Sequence, residues 1–137
     1  MVELVQTPSA AQAGDAAVVN RAGSPEMVDI TILGLNPQTG ASYTLGLTDV
    51  TKLVTMANAG ANTLTIPANA SVAFPVGSAL TVGQKGAGTT TIQAAAGVTL
   101  NGVSAGAGDI SAQWASVLLV KTGTDTWEAW GSIGTVA

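Results

Sequence analysis

The carboxylates Asp49, Asp109, Asp125 and Glu128 are the residues of this sequence with the widest chemical reach. Two suitably spaced carboxyl groups cleave glycosidic bonds, one protonating the leaving oxygen while the other activates water or attacks the sugar. There is no His and no Cys, which excludes Ser-His-Asp and Cys-His nucleophiles, the zincin motif and the cysteine-histidine zinc fingers. Asp49 and Asp125 stand beside turn residues, where a short carboxylate accepts backbone N–H bonds, and Glu128 is expected to face solvent or a lysine. Structural roles account for these groups, and no catalytic residue is expected.

The glycine pairs Gly86/Gly88 and Gly106/Gly108 lack the strand-to-helix context and the lysine of a phosphate loop, so they read as turns. No loop has the alternating oxygen ligands and central glycine of a calcium-binding hand, so neither a metal nor another cofactor is expected. The bulky aromatics Phe74, Trp114, Trp127 and Trp130 are assigned to the core or to an interface between copies, where large rings bury most area.

Composition says what must position these residues. Hydrophobic residues make up 47% of the 137 and charged ones 9%, against about 25% charged in ordinary soluble chains. A lone copy would expose apolar patches, and such patches mark association surfaces, so an oligomer is expected. The densest apolar run is Val117-Leu118-Leu119-Val120, far short of the roughly 20 residues of a membrane-spanning helix. The first residues show neither a basic nor a long apolar region of the kind that directs secretion, so synthesis in a cytoplasm is expected. Arg21, Lys52, Lys85 and Lys121 are scattered singly against eight acids, which argues against nucleic acid as a partner. Without cysteine, stability must come from burial and backbone pairing.

From Tyr43 onward, short runs rich in Thr, Val, Leu and Ile recur between Gly, Asn and Asp clusters, the punctuation of many short strands. Strands are placed at residues 43–47, 52–56, 63–66, 79–84, 89–94, 117–121 and 126–133. Residues 58–62, 85–88 and 123–125 read as hairpin loops, and Ala94-Ala95-Ala96-Gly97 as a turn, being too short to sustain a helix. Alternation puts Leu53 and Thr55 on one face and Val54 and Met56 on the other, and it sets Trp127 opposite Trp130. The expected fold is all-β, a small sandwich or barrel of short antiparallel strands, with an extended N-terminal arm.

Residues 1–36 form that arm and residues 37–137 the oligomerising body. The stretch 8–17 is rich in small residues with little bulk to bury, as in a linker, whereas Val28-Asp29-Ile30-Thr31-Ile32 alternates like a strand able to add to a partner.

The segment Asp49-Val50-Thr51-Lys52-Leu53-Val54-Thr55-Met56, followed by Ile66-Pro67-Ala68-Asn69-Ala70-Ser71-Val72-Ala73-Phe74-Pro75-Val76-Gly77, resembles a β-rich module of head-fibre, decoration and tail-fibre proteins of tailed bacteriophages. The resemblance continues in order through Gly86-Ala87-Gly88-Thr89-Thr90-Thr91-Ile92, Gly97-Val98-Thr99-Leu100 and Leu119-Val120-Lys121-Thr122-Gly123-Thr124-Asp125-Thr126-Trp127. Glu128 and Trp130 depart from it, standing where the module usually reads aliphatic. It implies a trimeric or otherwise oligomeric β-structure, expected as a homotrimer, without chemistry of its own: a decoration (cement) or head-fibre protein on the outer surface of the virion's capsid. Its partners would be itself and the major capsid protein, with no membrane involved. Val2, Leu4, Val5, Val18, Val19, Val28, Ile30 and Ile32 of the arm would contact the capsid. The alternative is a tail-fibre or tail-tip adhesin that binds host surface glycan.

Overall fold

The computed structural model describes residues 32–137; of the arm residues singled out above, Val2, Leu4, Val5, Val18, Val19, Val28 and Ile30 lie outside them, and Ile32 is half exposed just ahead of the first strand. The strands are β1 Gly34–Gln38, β2 Ser42–Thr44, β3 Lys52–Met56, β4 Asn62–Ile66, β5 Ala79–Gln84, β6 Thr90–Ala94, β7 Thr99–Leu100, β8 Val103–Ser104, β9 Ala107–Asp109, β10 Ser116–Gly123 and β11 Thr126–Gly131. They form a seven-stranded sheet ordered β1-β3-β5-β10-β11-β7-β8 and a four-stranded sheet ordered β2-β4-β6-β9.

Hydrophobic residues at every second position give each strand one face to bury, and the chain satisfies this by winding. It passes from β1 to β2, from β3 to β4 and from β5 to β6, each time crossing from the larger sheet to the smaller, and each turn stacks in parallel on the one before. Val54 lies beside Val82 and Leu64 beside Ile92, so these two coils match at a common offset of 28 residues. A parallel pair needs a long crossover, usually a helix; here the crossover is a strand of the opposite sheet, and the two sheets cover each other's inner faces. Val54, Met56, Leu80 and Val82 point inward from one sheet, Leu64, Ile66 and Ile92 from the other, all fully buried. Each such side chain contributes about 1.5–3 kcal/mol.

Antiparallel pairing takes over toward the C-terminus. β10 lies antiparallel to β5, and β11 folds back on β10. In the smaller sheet β9 is antiparallel to β6, and the terminal Ala137 exchanges two 3.0 Å backbone bonds with Ala107 of β9. At the opposite end β1, which among the described residues pairs only with β3, carries Pro37, in keeping with the confinement of strand prolines to sheet edges.

All-β content stands, but the antiparallel sandwich or barrel does not: the coil strands pair in parallel. Residues 58–62 and 85–88 are therefore corners between sheets and not hairpin loops, while 123–125 does join an antiparallel pair. Alternating hydrophobicity is the same for either pairing direction, so it could not separate them. The corners explain one glycine pair. Gly86 N–H and Gly88 N–H donate to Met56 O and Asn58 O, at 2.9 and 3.0 Å, and a Cβ on Gly88 would collide with the backbone of Gly60 in the corner beneath. Gly108, expected in a turn, lies within β9, where a Cβ would press on Ile133 and Val136 at 3.0–3.1 Å. The strand placed at 43–47 ends at Thr44 and gives way to a 3-10 turn, Leu47–Asp49. β11 stops at Gly131, whose φ of +108° turns the chain toward the smaller sheet.

Candidate interaction surface

Each of the four carboxylates has its own structural neighbours. Asp49 is fully buried at the β1–β2 end of the stack, where Asn36 occupies the inward register held by Val54 and Val82 in the following coils. Its carboxylate accepts from Asn36 Nδ2 at 2.6 Å, Tyr43 OH at 2.7 Å and Gly46 N–H at 2.9 Å. Asn36 Nδ2 also reaches Tyr43 OH at 2.8 Å, and its Oδ1 accepts from Gln38 Nε2 at 2.7 Å. This network ends the apolar core with satisfied polar groups, as buried polar atoms require. Burial, and then the hydrogen bond to Asp49, push the Tyr43 phenol above its ordinary pKa of 10.0.

Asp125, in the β10–β11 turn, accepts Asn69 N–H at 2.7 Å; Asn69 Oδ1 in turn accepts from Lys121 Nζ at 2.6 Å, and Lys121 also donates to Phe74 O at 2.7 Å. The Lys121 side chain is 2% exposed, so a buried ammonium and a turn carboxylate together pin the long 67–78 segment onto β10. Asp109 accepts from Thr91 Oγ1 at 2.6 Å on the outside of the smaller sheet. Glu128 meets Trp130 Nε1 at 3.2 Å rather than a lysine. Among the described residues no group of three or more Asp or Glu converges as metal ligands would.

The outer face of the larger sheet is different in kind. Leu35, Leu53, Thr81, Leu118 and Trp130 stand side by side on five successive strands, in register. At about 4.8 Å per strand the row is about 19 Å long, and it contains no charge. Leu35 is 69% exposed and Trp130 60%. The flanking outward positions, Pro37, Thr55, Gly83 and Ser116 on one side and Ala79, Val120 and Glu128 on the other, carry one charge among them. Inner and outer faces of this sheet are thus both apolar, and among the described residues only the inner one is covered.

The aromatics divide between these environments. Phe74 and Trp127 are buried and meet edge to face, centroids 5.3 Å apart at 88°. Trp114 and Trp130 are exposed, Trp114 on the loop before β10 with a left-handed φ of 69°. Sequence reasoning missed Asn36, Tyr43, Asn69 and Leu35. The last had a signal: Leu33, Leu35 and Pro37 alternate with smaller or polar residues, the pattern of an edge strand, but the composition of residues 8–17 drew the whole segment into the arm. The sequence matches no protein-family model, and no curated protein matches it.

Proposed function

We propose that this chain is a non-enzymatic structural protein of a bacteriophage virion, a capsid decoration or head-fibre protein, which assembles as a homotrimer through the outer face of the larger sheet. The observation that carries the self-association is the in-register apolar row Leu35-Leu53-Thr81-Leu118, on a face that no other described residue covers. Three such faces turned to a common axis would remove it from water, and patches of this kind mark association surfaces. The setting on a virion rests on the resemblance of segments between Asp49 and Trp127 to the phage module.

In this reading the residues N-terminal to β1 bind the major capsid lattice. A protein that binds the assembled lattice in preference to free subunits stabilises it by linkage. After one arm of a trimer engages, the others search a small volume at an effective concentration near the millimolar range, so weak arms suffice.

Sedimentation equilibrium of the full chain should give a trimer mass, and the double change Leu53→Asp with Leu118→Asp should give a monomer with unchanged far-UV circular dichroism. A wild-type chain that stays monomeric at all concentrations overturns the self-association. Gold-tagged antibody on intact virions should label the head; label confined to the tail tip overturns the decoration role.

A further inference from the structure

Of the three lysines, only Lys121 is buried. Its backbone is fixed within β10: its N–H donates to Ser78 O at 2.9 Å, and its carbonyl accepts from Gly77 N–H at 2.8 Å. Its side chain shares the inward face with Trp127, its cross-strand neighbour on β11. The amino group ends 2.6 Å from Asn69 Oδ1 and 2.7 Å from Phe74 O. Both acceptors are neutral, so the buried charge meets no opposite charge in these bonds, an arrangement that is costly to desolvate. Asn69 is held from its own side, its backbone N–H donating to Asp125 Oδ1 at 2.7 Å.

An amine pressed against a carboxamide is a reactive pair. We propose that Lys121 and Asn69 join without an enzyme into an intramolecular isopeptide bond. The ammonium gives one proton to solvent, the amine lone pair attacks Asn69 Cγ, and the Nζ–Cγ bond forms as the Cγ–Nδ2 bond breaks. The second amine proton leaves on Nδ2 as ammonia, which takes up a proton in water. One ammonium is consumed and one released, nothing is oxidised or reduced, and no co-reactant enters. Two partners fixed in contact react with an effective molarity of about 10⁵ M or more, far above any amine free in solution. Lys121 is enclosed while Asn69 is partly exposed, so the ammonia departs to solvent from the asparagine side. The product is a neutral amide, which removes the buried charge and ties together residues 52 apart, restricting the unfolded chain as a disulfide would. One folded chain suffices for the reaction, whatever its assembly or its place in a virion.

Intact-mass spectrometry of the full-length protein should show a loss of about 17 Da, one ammonia. Ring closure at Asn101-Gly102 releases ammonia too, so the joined peptide decides between them. Trypsin cuts after Arg21, Lys52, Lys85 and Lys121 but not after an acylated lysine. Digestion of the denatured chain should therefore yield 53–85 attached to an uncut 86–137. Lys121→Arg, which keeps the charge but offers no amine, should release 53–85 free. Asn69→Ala and Lys121→Met each lack one reactant and stay unjoined, so a comparison of their stabilities is between two unjoined chains. Wild-type protein that still yields 53–85, 86–121 and 122–137 as separate peptides overturns the proposal, provided it has been held at about pH 9, where a larger share of lysine amines is uncharged. Joining of 53–85 to the C-terminal peptides in Lys121→Arg overturns it as well.

Discussion

At the scale of single residues, two buried polar networks carry the sharpest consequences. Tyr43 titrates above its ordinary 10.0 because burial and the Asp49 carboxylate disfavour its anion. The folded state therefore holds this proton more tightly than the unfolded one. The stability this adds is complete below pH 10 and is lost as pH rises through the folded pKa. Unfolding monitored by urea between pH 8 and pH 11 should show a fall in stability beginning near pH 10, and Tyr43→Phe should flatten that fall. In the second network the buried Lys121 ammonium has two neutral acceptors. Asn69→Ala removes one and leaves a buried charge half satisfied, at a cost of about 3 kcal/mol, whereas Lys121→Met removes the charge itself and strands only neutral acceptors, at about 1 kcal/mol. Denaturation midpoints that reverse this order would show that the loss of the charge, and not its satisfaction, governs the site.

Elements here are defined by how coils stack more than by their own propensities. The 57–61 and 85–89 corners lie flush, backbone on backbone, which is why Gly88 has no room for a Cβ over Gly60. Gly88→Ala should cost about 2–4 kcal/mol, in the range of overpacking changes, and should lower the thermal midpoint without altering the unfolded baseline. Trp114 presents the opposite case. Its left-handed backbone, φ 69°, strains a bulky residue, and its side chain is 73% exposed, so little packing offsets the strain. Trp114→Gly should raise stability by about 1 kcal/mol, measured by thermal or urea unfolding.

At the scale of the whole molecule, the larger sheet has two apolar faces, of which the described residues cover one. If the outer face is buried between copies, folding and association are coupled, and the thermal midpoint rises with protein concentration. Scanning calorimetry at concentrations spanning about two decades should show that rise for the wild type and none for the Leu53→Asp, Leu118→Asp chain. The outer face is apolar along the row from β1 to β10 and mixed at β11, where Thr126, Glu128 and Trp130 point outward.

Much of the strand content was legible in the sequence, since period-two alternation in 52–56, 79–84 and 117–121 depends only on which side of a strand is buried. Low charge pointed to exposed apolar surface, which the described residues show at Leu33, Leu35, Leu47, Val76, Trp114 and Trp130, and turn-rich punctuation placed Asp125 where it accepts a backbone N–H. Pairing direction was decided by the tertiary structure alone, because a residue's inward or outward direction is the same in parallel and antiparallel sheets. So too was the meeting of Asn36, Tyr43 and Asp49, and of Asn69 with Lys121, 52 residues apart. The first arises within one coil and the second where the 67–78 segment folds onto β10, and the stacking offset between coils itself varies, 28 residues in one pair and 18 in the first, where Gly34 lies beside Lys52. A variable offset leaves no fixed spacing in the chain to read, whereas the burial that drives each strand is written locally, residue by residue.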